Sequence, residues 1–242
     1  MKEYLEPIKS ESLTDLFVAR FERLILSGKV RIGERLPSER ELAEQLGVSR
    51  PVVHEGLLEL SHRGLVSMTP RVGTVVNDYR TEGSLALLES LLNYRNGAID
   101  PNLLDSLLQV RLLFETETAR LAAVNRTDEQ AAEMRAIVDQ ERESIDAGAD
   151  VWVALDFRFH LLLAMASGNL VYPLFLNSFK PVYTSLTEMF FSKTRIATAV
   201  NEQHSRLAAA VAGHNETDAE QVMREILHFG AEVLRKQMGG EK

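Results

Sequence analysis

Residues 36–65 read LPSERELAEQLGVSRPVVHEGLLELSHRGL, and the punctuation of this stretch decides the fold. Ser38 is placed to cap a first helix, with Glu41 three residues on closing a capping box. Leu42, Ala43 and Leu46 give that helix an apolar stripe, and Gly47 is free to take the left-handed conformation that ends it. Ser49 is placed to cap a second helix, and Pro51 sits in its first turn, where a missing N–H costs little. Val52, Val53, Leu57, Leu58 and Leu60 supply the buried face of the second helix. Two capped helices joined by a tight Gly-containing turn make a helix-turn-helix. Ser49, Arg50 and His54 at the start of the second helix are all able to bond phosphates or base edges.

The flanks extend the unit. Leu13, Leu16, Phe17, Phe21, Leu24 and Ile25 recur at helical spacing over residues 11–27, and Gly28 stops that helix. After Gly64, residues 65–76 read LVSMTPRVGTVV, two short strands joined by a turn over Pro70–Gly73. A helix, a helix-turn-helix and a two-stranded wing together predict a winged helix. Its wing tip, Arg71 beside Gly73, is suited to a minor groove or to phosphates.

The run LPSERELAEQLGVSR, followed by LxxLxxxGLV and a Gly-containing wing, resembles the DNA-binding domain of the GntR family of bacterial regulators over roughly residues 10–78. The resemblance implies DNA contacts by Arg40, Ser49, Arg50, Arg71 and Gly73. The sequence departs at His54, where the family usually has arginine, and near Gly56, where alanine is usual. Histidine cannot make arginine's bidentate contacts, so the expected operator differs from the family consensus.

Composition is consistent with two domains. At 242 residues with 45% apolar content, the chain suffices for two cores. The absence of cysteine excludes disulfides and thiolate metal sites. The N-terminus lacks the apolar run of a signal peptide, and no apolar stretch reaches the length of a membrane span, so a cytoplasmic protein is expected. The net charge of −8 looks wrong for a nucleic-acid binder, but it is uneven. Residues 1–78 carry 11 Lys and Arg against 12 Asp and Glu, whereas residues 79–242 carry 16 against 23. The acidity belongs to the second part, and the first can still gather its cations on one face.

The expected organisation is a winged helix-turn-helix over 1–78, a polar linker over 79–83, and an all-α bundle of six or seven helices over 84–242, mainly α overall. Within the bundle, residues 151–166 are apolar on nearly all sides, which predicts a central helix. Asp156 and His160 lie in that helix four residues apart, on one face. His204 and His228 lie in later helices, and one Asp with three His could close around a divalent ion such as zinc, nickel or manganese. Spacing alone leaves a local Asp–His hydrogen bond as the commoner reading. His214 reads as solvated, and Trp152, Phe175, Phe179, Tyr183 and Phe190 read as core.

The DxxxH pair followed by ASGN, the earlier VRLLFETETARLAA and a late His-bearing helix resemble the FCD-type effector domain of the FadR subfamily within that family. The resemblance implies a metal held by Asp156, His160, His204 and His228, a small carboxylate effector on it, and Arg111 facing the effector. The loop between His204 and His228 carries a residue or two more than the usual pattern. The stretches SGNLVYPLFLNSFKPVYTSL, PNLLDSLLQVR and TEGSLALLESL are closer to the fatty-acid-responsive branch, which implies an acyl-CoA effector and no metal. The expectation is a homodimeric transcriptional regulator, a repressor in the usual pattern, that reads a palindromic double-stranded operator and responds to a carboxylate or acyl-CoA. A metal-dependent enzyme fused to a DNA-binding domain is the weaker rival, since there is no HExxH and no positioned base beyond the ligands. A ligandless architectural protein fits the acidic second domain poorly.

Overall fold

The computed structural model describes residues 12–94, 99–192 and 196–239. The chain divides into two compact units, Met1–Ile99 and Asp100–Lys242.

The first unit contains α1 (Leu13–Leu26), α2 (Glu39–Leu46), α3 (Arg50–His62), β1 (Val66–Thr69), β2 (Gly73–Val76), α4 (Tyr79–Glu82) and α5 (Leu87–Asn93). The capping box forms between Ser38 and Glu41, and Gly47 ends α2 in the left-handed region at φ 67°. Ser49 occupies the N-cap of α3, yet its side chain makes no cap hydrogen bond. Pro51 removes one of the N–H groups a cap would address. The strands pair antiparallel from Val66↔Val76 to Thr69↔Gly73. The approach to α2 joins this sheet: Leu36 donates to the Thr74 carbonyl and Val76 to that of Glu34, both at 2.9 Å. Phe17, Phe21, Ile25, Leu57, Leu60 and Leu65 form the core, each worth about 1.5–3 kcal/mol when fully buried.

The boundary differs from the expected one. Residues 79–82 form α4, and residues beyond 83 stay with the winged helix, because Leu87 belongs to its core. The Ser90 hydroxyl donates to Glu22 at 2.6 Å and accepts from Arg63 at 2.8 Å. At Gly64 the backbone is left-handed, and a Cβ would stand 2.0 Å from the Glu82 carbonyl oxygen. Only glycine admits α4 this closely.

The second unit is all helix among the described residues: α6 (Pro101–Asn125), α7 (Asp128–Glu143), α8 (Ala149–Ala166), α9 (Tyr172–Ser178), α10 (Lys180–Ser192), α11 (Ala197–Ala212) and α12 (Glu216–Gly239). Its core draws on α6, α7, α8, α11 and α12, with Met134, Phe159, Leu163, Leu207 and Met223 fully enclosed. As expected, α8 is central, and Asp156 and His160 are buried among its apolar residues. No helix is long and apolar enough to cross a membrane among the described residues.

Candidate functional sites

The first site is the exposed side of the winged helix. A groove between the wing and the α2–α3 pair is lined by Arg35, Arg40, Arg50, Met68, Pro70 and Gly73, among others. The sequence-expected Arg40, Arg50 and Gly73 are therefore together, and Arg35 joins them. Arg35 is recognisable only from the fold, because a one-residue bridge to Val75 sets it against the wing. A Cβ at Gly73 would stand 3.0 Å from the Arg35 guanidinium, so a side chain there would crowd it. Ser49 is exposed with no cap bond formed. Arg71 is exposed at the tip with a left-handed φ of 67°. Arg40 has Glu44 at 3.5 Å, but this solvated pair is a weak tether. His54 shares a 2.8 Å hydrogen bond with Glu39 through Nδ1, so its Nε2 edge is what it offers outward.

The second site lies inside the bundle. Asp156 and His160 from α8 and His204 from α11 each aim one donor atom at a common point, with those atoms within 4.8 Å of one another. All three residues are buried. Each histidine is oriented by a buried carboxylate. His204 Nδ1 lies 2.8 Å from Glu141 Oε1 of α7, and His160 Nδ1 pairs with Glu115 of α6. Their Nδ1 atoms are thus occupied. His204 Nε2 faces Asp156 Oδ1 at 3.9 Å and has no hydrogen-bond partner among the described residues. The other Asp156 oxygen accepts from the Tyr183 hydroxyl at 2.6 Å. An orphaned imidazole nitrogen beside a carboxylate and a second histidine, each braced from behind, fits a divalent cation. Three protein donors would leave coordination positions open for a ligand.

Electrostatics follow from the same contacts. Burial pushes the Glu115 carboxyl up, but Arg111 and His160 outweigh it and hold it at about 2. Burial also works against charge on His204, yet Glu141, with Asp156 and Glu115 behind it, raises its pKa above the ordinary value. Burial, followed by the Asp156 charge, drives the Tyr183 phenol well upward, so it stays a donor. Arg111 is buried against Glu115, with Nε donating at 2.6 Å, and its guanidinium lies 4.5 Å from the centre of the Tyr183 ring.

A small cavity surrounds the triad. Arg111 lines it, together with Thr187, Gln203 and an apolar wall that includes Leu186, Phe190 and Leu227. The expected fourth ligand is not there: His228 is exposed. Its neighbours Ile226, Leu227, Phe229 and Gly230 line the cavity, and His228 does not. His214, expected to be solvated, is exposed, and its Nδ1 lies 2.7 Å from the Ala123 carbonyl oxygen, which ties down the α11–α12 loop. Tyr183 and Phe190, read as core, both serve the site. Glu115, Glu141 and Tyr183 escaped sequence reasoning. Glu141 had left a signal, a carboxylate on the same helical stripe as Met134, Ile137 and Val138.

Comparison with known proteins bears on both sites. Residues 15–76 match the family model described as bacterial regulatory proteins, gntR family, and residues 106–229 match that of the FCD domain. The Mycobacterium tuberculosis HTH-type transcriptional regulator Mce2R is 33% identical over 93% of this chain and 92% of its own. A Klebsiella pneumoniae fatty acid metabolism regulator protein is 30% identical over 86% of each chain. Among solved structures, Lar, which controls expression of the Listeria monocytogenes agr system, shares the fold at a TM-score of 0.65. It is 18% identical, covering 95% of this chain and 99% of that one.

Proposed function

Because this chain belongs to the GntR family of transcriptional regulators and carries an FCD effector domain, we propose that its bundle binds a carboxylate effector at a divalent metal and thereby sets operator affinity. The observation that carries this reading is the convergence of Asp156, His160 and His204 with His204 Nε2 left unpartnered. Zinc, nickel and manganese all suit a donor set of one carboxylate and two imidazoles. When bound, the metal supplies an electrophilic centre for a carboxylate oxygen. The chain's own residues do the rest. Glu141 and Glu115 fix the imidazole orientations, Tyr183 steadies Asp156, and Arg111 presents a cation to the same cavity.

On DNA, α3 is read as the recognition helix of a homodimer on a palindromic operator, one half-site per winged helix. Arg40, Ser49, Arg50, His54, Arg71 and Gly73 are the proposed contacts, with Arg35 added from the groove. An apolar patch supports dimerisation: Leu113 and Leu170 are 79% and 86% exposed, and Phe114 of α6 packs on Tyr172 and Phe175 of α9 beside them. An effector shifts affinity only through unequal binding to two arrangements of the dimer.

The test begins with elemental analysis of the purified, untagged protein, followed by operator binding with and without carboxylates. About one metal per chain, and release or capture of DNA by a carboxylate, is the expected result. Protein that takes up no zinc, nickel or manganese would remove the metal from the reading. The apolar wall and the fatty acid regulators among the relatives would then favour the alternative, a fatty-acid or acyl-CoA response without metal.

A further inference from the structure

The cavity is divided in chemistry. Asp156, His160, His204 and Arg111 lie at one end, and Leu108, Leu186, Phe190, Leu227, Ala231 and Leu234 supply much of the rest. Arg111 is the only Arg or Lys lining it among the described residues, and it is already paired with Glu115. A second carboxylate, or the phosphates of a nucleotide thioester, would meet no further cation there. A polyhydroxylated acid would find only Thr187 and Gln203 as neutral polar side chains, and the Thr187 hydroxyl already donates to the Tyr183 carbonyl at 2.8 Å.

Gly230 gives the apolar end its shape. It sits well inside the 24-residue helix α12, where glycine is the least favourable residue after proline. It falls on the cavity-facing stripe, between Leu227 and Leu234. A Cβ built there meets no described atom within 4 Å. The helix thus carries an unfavourable residue at a cavity-lining position where a side chain would meet open space.

From this division we propose that the effector is a monocarboxylic acid with an aliphatic tail of medium length, its head at the triad and Arg111, its tail lying along Gly230 between α10 and α12. The inference rests on the metal reading for its head-group contact and on the apolar wall for its tail.

The test is calorimetric titration of the zinc-loaded full chain with butyrate, hexanoate and octanoate, with citrate, gluconate and palmitoyl-CoA as comparisons. Each methylene buried should tighten binding about fourfold until the cavity is full. Citrate, gluconate and palmitoyl-CoA should bind more weakly than octanoate. Gly230→Leu should weaken octanoate at least tenfold while butyrate and zinc stoichiometry hold. Should that variant misfold, Gly230→Ala gives the same ordering with a smaller effect, and the wild-type series stands by itself. A flat series on zinc-loaded protein, or tighter binding of any of the three comparison compounds, overturns the tail assignment and leaves the metal reading intact. A chain-length series that persists in protein unable to take zinc keeps the tail assignment and overturns the metal reading.

Discussion

Glu141 is fully buried on α7 and touches the candidate ligand His204 from 63 residues away in the chain. Its carboxylate fixes the imidazole so that Nε2 points at Asp156, and it strengthens that nitrogen as a donor. Glu141→Gln keeps the shape but removes the charge. We expect metal affinity to fall roughly 10- to 100-fold in a chelator competition, with the helical content unchanged. Unaltered affinity would reduce Glu141 to a space filler. His228→Ala should leave metal stoichiometry at the wild-type value, and loss of metal in that variant would restore the fourth ligand. The placement of His228 was legible in the sequence. Arg224, His228 and Glu232 repeat at intervals of four and are all exposed, whereas Val222, Met223, Ile226, Leu227 and Ala231 trace the buried stripe. Helical phase thus sets His228 off the buried stripe, against the ligand pattern that the resemblance implies. The burial of Glu141 was legible from its helical stripe, but its partner, and the parts played by Glu115 and Tyr183, were not, because they depend on which helices become neighbours.

At the scale of elements, caps and turns were readable because they are local. Ser38, Glu41, Gly47 and Gly28 act within a few residues of themselves. Contact between helices was not readable, and α3 shows why. Gly56 faces α1, and a Cβ there would fall 2.3 Å from Phe17 Cδ1, in a ring stacked on Phe21 with centroids 4.4 Å apart. The family's alanine near this position therefore has no room here. Gly56→Ala should cost about 1–3 kcal/mol of overpacking, offset by roughly 1 kcal/mol of helix propensity. The net effect on the winged helix should be a lowered urea midpoint, and a raised midpoint would show that Phe17 moves freely. At the N-terminus of α3, Arg50 begins the helix exposed beside the wing groove. Arg50→Ala should weaken operator binding about 5- to 150-fold, the range for loss of 1–3 kcal/mol at a base contact. Metal content should not change. Fluorescence anisotropy showing full operator affinity in this variant would mean that α3 is not the reading helix.

At the scale of the whole molecule, the split into a winged helix and a bundle was evident from charge and periodicity, but its position was not. Leu87 and Ser90 look like the start of another bundle helix, and only the Glu22–Arg63–Ser90 cluster shows which core they join. Assembly extends the same reasoning outward. Large apolar side chains left exposed close together mark interaction surfaces, and here Leu113 on α6 and Leu170, Val171 and Leu174 around the start of α9 are 79%, 86%, 64% and 65% exposed, with Phe114 packed on Tyr172 and Phe175 between the two segments. A palindromic operator rewards a dimer because the second half-site is engaged at high effective concentration, which adds on the order of 10²–10⁴ in affinity without a new contact. Placing charge in the patch with the double variant Leu113→Asp, Leu174→Asp should give a folded monomer in sedimentation. Its affinity for the full operator should then fall, by about that factor, to what a single half-site gives the wild type. Since neither position touches the groove or the triad, half-site binding and metal stoichiometry should both survive. A variant that still sediments as a dimer would place the interface elsewhere on the molecule.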